Sequence, residues 1–347
     1  MPTVLAVDGN SVAHRAYHAI VRDEPEGDHW LTGGVVRMLA TAWTQGPYDG
    51  VVIGFDGPDN RRRQLFEGYK ANRPDKDPEL VEQLARLPDH LDACGFTVSK
   101  HDGIEADDVL AAAAEACSAR GWHCDVLSSD RDLMALVSDL VRVLRPRATM
   151  SDLKAYGPAA VEAEFGVRPD QYTDYAALRG DPSDGLPGVR GVGKKTARRL
   201  LRDHGDVPGI YRSLSHVTPR VEALLRDGRE IVERNLLLMA PLPNVEVDVD
   251  GAVERGVDPD RVVEALTPLG LGRSAGIFRH AVTRPPLPPM PPPPVDVADT
   301  PPPPAAAPGG SGSDPIDDHA PTEADPDLVI TLRDEPLPEH TEQPSLF

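Results

Sequence analysis

The first half of the chain alternates short apolar runs with segments of helical periodicity. The apolar runs predict strands near residues 3–8, 50–56, 95–99, 123–128 and 140–144. Between them, apolar positions three and four residues apart predict helices near residues 31–44, 78–92, 105–119 and 131–137. Strands and helices that alternate in this order form a parallel sheet covered by helices. We therefore predict an α/β domain with a mainly parallel sheet over residues 1–157.

The pattern changes after residue 157. Residues 158–283 read as helical segments joined by Gly and Pro, with one extended stretch at 245–249. This predicts a second, mainly helical subdomain. Beyond it the chain is rich in Pro, Ala, Gly, Ser and acids, and 19 of the 37 prolines lie in residues 285–347. Because such a composition buries too little apolar surface to fold, we expect a disordered linker over residues 284–342.

The distribution of charge bears on the choice of partner. The net charge of −20 argues against a nucleic-acid partner. However, residues 285–347 alone contain twelve acids and one Arg, so much of this negative charge lies outside residues 1–284.

The cysteines and the apolar runs bear on the cellular location. The cysteines Cys94, Cys117 and Cys124 lack metal-site spacing, which predicts reduced thiols. A strand predicted from residue 3 leaves no room for a signal peptide, and no apolar run approaches the roughly 18 residues of a membrane span. We expect a cytoplasmic protein without membrane contact.

Nine acidic residues lie in short clusters, three of them directly after predicted strands. Because the carboxyl ends of parallel strands share one edge of a sheet, we expect these acids to converge. Two such charges about 4 Å apart repel by roughly 1 kcal/mol in water and about 4 kcal/mol near a protein surface. Oxygen-only ligands favour Mg²⁺ or Mn²⁺ as the ions that remove this repulsion. The predicted ligands are Asp8, Asp56, Glu105, Asp107, Asp108, Asp130, Asp132, Asp181 and Asp184.

A glycine turn followed by a basic helix predicts a DNA-binding hairpin. Residues 191–193 read Gly-Val-Gly, and the next helix is predicted to begin at Lys194. Gly191 and Gly193 let backbone N–H groups approach a phosphate closely at the positive end of that helix. Lys194, Lys195 and Arg198 add a cationic face. The segment predicts a helix-hairpin-helix that binds the DNA backbone without reading sequence.

A second basic region follows Asp56 closely. It contains Arg62, Tyr69, Lys70 and Arg73, so cations and an aromatic ring should overhang the acids. Arg and Lys in that position can grip a scissile phosphate and stabilise its developing charge.

With these motifs in order, the chain resembles the 5′-3′ exonuclease and flap endonuclease family, especially the 5′-nuclease domain of bacterial DNA polymerase I. The matching stretches are residues 7–11, 15–18, 55–56, 69–73, 105–108, 129–132 and 180–197. The resemblance implies a PIN/resolvase-like sheet, a helical arch at about residues 57–92 and a helix-hairpin-helix (H3TH) subdomain at 158–283. It also implies hydrolysis of DNA phosphodiesters at 5′ flaps, nicks and 5′-ended duplexes, in primer removal or repair. No polymerase domain follows residue 283, so we expect a stand-alone, monomeric nuclease.

The resemblance also assigns roles to residues. It implies two or more Mg²⁺ ions, with Mn²⁺ as a substitute, and a K⁺ ion at the hairpin. Lys70 and Arg73 would contact the scissile phosphate, and Arg62 occupies a phosphate-gripping position. Arg15 and Tyr69 lie in matching stretches and would contact DNA, while His14 stands where relatives carry a base-stacking tyrosine. One metal subset would be Asp8, Asp56, Glu105 and Asp107, the other Asp130, Asp132, Asp181 and Asp184, with Asp108 between them.

The last five residues resemble a docking peptide. Residues 343–347 read Gln-Pro-Ser-Leu-Phe, similar to the Gln-x-Ser-Leu-Phe pentapeptide by which bacterial replication proteins dock on the sliding clamp, with Pro344 replacing the common Leu. A short peptide at the end of a flexible tether suits docking. The resemblance implies a sliding clamp as partner, contacted by Gln343, Leu346 and Phe347.

Two alternative functions stay open. A PIN-type ribonuclease shares the carboxylate-edged α/β core, although it usually lacks a helix-hairpin-helix. A non-catalytic DNA-structure binder recruited by the clamp is expected to lack some of the acids, and all nine are present.

Overall fold

The structure is a computed structural model that describes residues 1–20, 28–147 and 152–284. The predicted clamp-binding peptide and the predicted linker, apart from Arg284, lie outside the described residues. Within the described ranges, no helix has the length and apolar character needed to cross a bilayer.

A six-stranded sheet carries the first part of the chain. Its strands are β1 (Thr3–Asp8), β2 (Gly50–Phe55), β3 (Thr97–Lys100), β4 (His123–Leu127), β5 (Val141–Pro146) and β6 (Leu153–Tyr156). They lie in the order β3-β2-β1-β4-β5-β6, and every neighbouring pair is parallel except β5 with β6. The predicted, mainly parallel sheet is confirmed, and the antiparallel edge strand β6 was not predicted. Because β1 lies between β2 and β4, the carboxyl ends of these three strands are neighbours.

Helices cover both faces of this sheet. They are α1 (Gly9–Ile20), α2 (Trp30–Ala42), α3 (Arg61–Leu65), α4 (Pro78–Ala93) and α5 (Ala106–Ala119). Helix α1 was not predicted, because its first residues, Gly, Asn and Ser, favour turns and caps as readily as helix. The segment Asp132–Leu136, predicted as an α-helix, is a 3₁₀-helix. The predicted arch region contains α3 and α4, joined by residues 66–77.

The remaining described residues are mainly helical, as predicted. They form α6 (Pro158–Phe165), α7 (Tyr172–Arg179), α8 (Lys194–His204), α9 (Val207–Arg212), α10 (Pro219–Asp227), α11 (Arg229–Met239), α12 (Val249–Arg255), α13 (Pro259–Leu266) and α14 (Gly272–Thr283), with the short antiparallel pair β7 (Gly180–Asp181) and β8 (Leu186–Pro187).

The extended stretch predicted at 245–249 is a loop that leads into a helix. This segment pairs with no strand in the described part of the chain, and α12 begins at its last residue, Val249. Val245 and Val247 pack against the core, and the Asp248 carboxylate caps α12 by accepting from the N–H of Gly251 at 2.8 Å. The alternating valines therefore belong to a loop of which one side is buried.

Two hydrophobic clusters hold the sheet between the helices. One cluster packs Val4 and Val52 of the sheet with Tyr175 of α7 and Leu200 of α8. The other packs the opposite face with α2 and includes Phe278 of α14. Each cluster therefore draws side chains from both sides of residue 157, and the described residues belong to one compact unit. The predicted division at residue 157 stays a prediction.

A glycine clasp joins the end of β2 to the start of α5. The N–H of Gly57, next to Asp56, donates to the carbonyl of Ile104, next to Glu105, at 2.8 Å. A Cβ added at Gly57 would overlap the carbonyl oxygen of His101. Glycine is needed here because the two loops touch through their backbones.

We expect Gly57→Ala to lower the free energy of unfolding by about 1 to 3 kcal/mol, because the added methyl must push the two loops apart. Urea unfolding followed by circular dichroism measures this change. The matched control is Gly276→Ala on the exposed side of α14, where a Cβ meets nothing within 4 Å. For this variant we expect the free energy of unfolding to rise by about 0.5 to 1 kcal/mol. Equal stabilities of Gly57→Ala and the parent would contradict the clasp.

Candidate active site

The carboxyl edge of the sheet gathers acids from separate strands. Asp8 ends β1 and is buried, with one oxygen accepting from the N–H of Ser11 at 2.8 Å and the other from Oγ of Ser128 at 2.7 Å. Asp56 follows β2 and accepts from the N–H of Ala106, the first residue of α5, at 3.0 Å. These bonds orient each carboxylate from a neighbouring element and leave further lone pairs for a ligand.

The acids at this edge repel one another. Burial, with repulsion from Asp56 and Asp130, raises the pKa of Asp8 to about 7. Burial, followed by repulsion from Asp130 and Asp8, holds the pKa of Asp107 well above its usual range. Asp107 thus interacts with members of both predicted metal subsets, and the convergence of these carboxylates is visible in their electrostatics.

A second group of acids extends the same cluster. Burial raises the pKa of Asp130, with Asp184 and Asp181 adding repulsion. Burial also raises the pKa of Asp132 strongly, and Asp130, Asp181 and Asp184 add to it. Asp181 and Asp184 come from the hairpin segment, so residues from both sides of residue 157 share one electrostatic neighbourhood.

The segment that carries Asp184 is docked on the arch base. Arg73 donates to its carboxylate at 2.6 Å, and Nζ of Lys70 lies 3.9 Å from its other oxygen. The N–H of Lys70 donates to the carbonyl of Asp184 at 2.8 Å. Lys70 adopts a φ of 54°, a left-handed conformation that is uncommon outside glycine. The predicted phosphate-contacting residues Lys70 and Arg73 therefore lie against the acid cluster.

The carboxylate of Glu105 accepts four hydrogen bonds, all from side chains. The donors are Lys70 at 2.8 Å, Asn60 at 2.6 Å, Arg62 at 3.0 Å and the hydroxyl of Tyr69 at 2.9 Å. Burial opposes ionisation of Glu105, but Lys70 and the other donors outweigh it and lower the pKa. Asn60 was not among the predicted site residues; its place just after Asp56, as the cap of α3, was the available signal.

Three predicted site residues have buried side chains with partners inside the protein. Asp108 is fully buried and accepts from Arg62, from the N–H of Glu105 at 3.0 Å and from the N–H of Leu242 at 2.9 Å. Arg62 is 5% exposed and Tyr69 3% exposed. All three side chains are bonded inside the protein in the absence of DNA and metal, and their predicted roles as metal ligand, phosphate grip and DNA contact stay predictions.

The hairpin displays most of its predicted DNA-binding residues. Gly191 adopts a φ of 84°, Gly193 precedes α8, and both are exposed, as are Lys194 and Lys195. Arg198 differs, because its guanidinium donates to the carbonyl of Glu164 at 3.3 Å and lies over Tyr175. The structure places Arg198 against the protein instead of on the exposed basic face.

His14 and Arg15 lie on α1 behind the acid cluster. His14 is half-buried, and burial followed by the charges of Lys76 and His18 lowers its pKa; Arg73 and Asp56 are also within electrostatic range. Burial and the neighbouring Arg145 lower the pKa of Arg15. Arg145, one of two arginines on β5, donates to the carbonyl of Ser129 at 3.2 Å and was not among the predicted site residues.

The donor set fits hard divalent cations. It consists of carboxylate oxygens, while the three cysteines are free and buried away in the core clusters. In the described ranges, no group of three or more His, Cys, Asp or Glu side chains is already arranged to hold a metal ion. Mg²⁺ needs no such set, because it keeps several waters and often takes one or two direct carboxylates. The raised pKa values show the crowding that such ions would relieve.

The fold and the clustered acids define a resolvase-like α/β domain followed by a helical module. Two family models match the chain accordingly. The 5′-3′ exonuclease N-terminal resolvase-like domain matches residues 3–166, and the 5′-3′ exonuclease C-terminal SAM fold matches residues 167–257. The chain belongs to the 5′-3′ exonuclease family.

Individual relatives agree with this assignment. DNA polymerase I of Mycobacterium tuberculosis is 37% identical over 239 residues, covering 67% of this chain and 26% of the relative. The thermostable DNA polymerase I of Thermus thermophilus is 35% identical over 265 residues, covering 74% and 31%. The chain thus spans less than a third of these curated relatives. A solved structure also matches: the bacteriophage T5 flap endonuclease in a pseudo-enzyme–product complex with DNA and metal ions. The TM-score is 0.56 at 21% sequence identity, and the match covers 81% of this chain and 100% of the T5 chain. This similarity supports the fold.

The crowded acids predict a pH-dependent stability. The pKa of Asp8 rises from 3.8 to about 7 on folding, so its contribution to stability is present at low pH and lost as pH rises toward 7. Without metal, we expect the free energy of unfolding to fall by roughly 1 to 4 kcal/mol between about pH 4.5 and pH 7. Mg²⁺ should flatten this slope. Urea unfolding at several pH values, in EDTA and in Mg²⁺, measures the free energy of unfolding. If this free energy does not change with pH in EDTA, the crowding of the acids is contradicted.

Proposed function

We propose that the protein is a divalent-metal-dependent 5′ nuclease that hydrolyses DNA phosphodiesters near 5′ ends, flaps and nicks, as a cytoplasmic monomer acting in primer removal or repair. One observation carries the proposal: acids from three strand ends and from the hairpin segment converge beneath Lys70 and Arg73. Membership of the 5′-3′ exonuclease family supports the same activity.

The proposed metal ligands are Asp8, Asp56, Glu105, Asp107, Asp130, Asp132, Asp181 and Asp184. Divalent ions held by these residues, Mg²⁺ or Mn²⁺, would supply an activated water and would stabilise the leaving oxygen. The protein's own cations have a separate task. Lys70 and Arg73 neutralise Glu105 and Asp184 in the DNA-free chain, and a bound phosphate would compete for the same donors.

The exposed hairpin supplies the proposed grip on the duplex. Gly191 and Gly193 allow the DNA backbone to approach, and Lys194 and Lys195 add positive charge at the start of α8. A K⁺ ion at the hairpin belongs to this proposal. Asp181 and Asp184 precede the hairpin in the same segment, so duplex binding and completion of the site are linked.

One gel tests the activity and its competitors. Labelled 5′-flap, nicked and blunt DNA duplexes are incubated with the protein and Mg²⁺ or EDTA, beside a single-stranded RNA. We expect cleavage of the 5′-flap DNA in Mg²⁺ only. Preferential cleavage of the RNA would favour a PIN-type ribonuclease, and DNA that is bound but left intact would favour a non-catalytic binder.

Replacing single acids should separate cleavage from binding. We expect Asp181→Asn and Asp107→Asn each to lower the cleavage rate at least about 100-fold, because each removes negative charge that holds the ions. Binding to flap DNA, measured by fluorescence anisotropy in Ca²⁺, should persist. The control is Asp139→Asn, an exposed acid just before β5 at the opposite edge of the sheet. Parental turnover by both site variants would refute the ligand assignment.

The C-terminal peptide belongs to the proposal as a clamp-binding element. We expect deletion of residues 343–347 to abolish binding to a bacterial sliding clamp and to spare cleavage measured without the clamp, because none of the proposed metal ligands is among these residues. Surface plasmon resonance on immobilised clamp measures the first effect. Clamp binding that survives the deletion would remove the peptide's role.

A further inference from the structure

Arg62 uses its whole guanidinium inside the protein. It donates to the carboxylate of Glu105 at 3.0 Å and to both oxygens of Asp108 at 2.7 and 2.8 Å. It also donates to the carbonyls of Leu238 at 2.7 Å and Ala240 at 3.0 Å. A guanidinium has five N–H donors, so these bonds occupy its full capacity and leave none for a phosphate.

These contacts join three segments that are distant in sequence. Arg62 lies on α3 at the arch base, Glu105 and Asp108 start α5, and Leu238 and Ala240 end α11. Asp108 reinforces the junction by accepting from the N–H of Leu242 at 2.9 Å. Arg234 of α11 lies over the ring of Phe66 at 4.2 Å, and Tyr69 packs against Leu238, so the arch base is seated on this helix.

The two carboxylate oxygens of Glu105 differ in whether their hydrogen bonds can be exchanged for others. Oε2 accepts from the buried Arg62 and Tyr69, whereas Oε1 accepts from Lys70 and Asn60. Lys70 is a candidate phosphate contact, so its bond is exchangeable, while the bonds on Oε2 are enclosed. A buried, fully bonded charge network is rigid, because breaking one partner leaves the others unsatisfied.

We propose that Arg62 is a positioning residue: it fixes the Glu105 carboxylate for metal binding by tying it to the main-chain carbonyls that end α11. This role rests on the proposed nuclease function. The helical module then sets the geometry of the ligand from behind the sheet edge, before any DNA is bound. Partners that orient metal ligands typically contribute 10-fold to 100-fold in metal affinity or activity.

Two substitutions at Arg62 and one beside it test the assignment. Arg62→Met removes both the charge and the planar set of guanidinium N–H donors, whereas Arg62→Lys keeps the charge without that set of donors. Tyr69→Phe removes only the second donor to Oε2 of Glu105. The control is Arg120→Met. Arg120 makes a bidentate pair with Asp250, at 2.8 and 2.6 Å, between the end of α5 and α12, exposed and away from the acids.

The readouts are calorimetric Mn²⁺ binding without DNA, DNA affinity in Ca²⁺, and kcat and KM for flap cleavage in Mg²⁺. We expect Arg62→Met and Arg62→Lys to raise the Kd for Mn²⁺ and to lower kcat about 10-fold or more, with KM and DNA affinity within about 2-fold of the parent. Tyr69→Phe should shift the Mn²⁺ Kd in the same direction by less. Arg120→Met should match the parent in Mn²⁺ binding.

The opposite pattern overturns the proposal. Three results together would show that Arg62 acts on phosphate. Arg62→Met would weaken DNA binding, Arg62→Lys would retain it, and both variants would bind Mn²⁺ with the affinity of the parent. If Arg62→Met fails to fold, Arg62→Lys and Tyr69→Phe decide, and parental Mn²⁺ binding in both sinks the idea. A parent that binds Mn²⁺ without cleaving DNA would refute the proposed nuclease activity alone, because the Mn²⁺ measurements still test the positioning role.

Discussion

Repulsion among carboxylates at one sheet edge is the constraint on which the rest of the molecule depends. Parallel strands bring Asp8, Asp56 and Asp130 together because their carboxyl ends are neighbours. Acids from the start of α5, from the 3₁₀-helix after β4 and from the hairpin segment join them, and burial makes each charge harder to keep. The fold tolerates this crowding because its own cations, above all Lys70 and Arg73, enter the cluster and bond Glu105 and Asp184.

The site is consequently a junction between segments instead of a pocket in one of them. Acids at the sheet edge come from the resolvase-like part, and Asp181 and Asp184 come from the part matched by the SAM-fold model. The arch base binds both, since Lys70 contacts Glu105 on one side and Asp184 on the other. The cost of separating these segments includes exposing uncompensated charge, which makes the junction cooperative.

The sequence predicted what depends on strand ends and spacing. Apolar runs located five strands of the sheet, and the acids that follow them were expected to converge, because the direction of a parallel strand places its carboxyl end. Side-chain direction could not be predicted in the same way. Asp107 and Asp108 are adjacent in the chain, yet one faces the acids and the other faces Arg62, and that difference depends on where α11 ends. The partners of Tyr69 and Arg198 could not be predicted for the same reason, since each comes from a segment far along the chain.

Arg62 binds α11 through carbonyls, and this has an evolutionary consequence. Substitution of Leu238 or Ala240 changes their side chains but keeps the acceptors, so compensating pairs of substitutions need not arise between α11 and the arch. Comparison of residue identities across homologues would then miss the link. Insertion or deletion of one residue in α11 is a different event, because it turns the following carbonyls by about 100° around the helix axis. Lineages that keep Arg62 should therefore conserve the length of this helix more strictly than its composition.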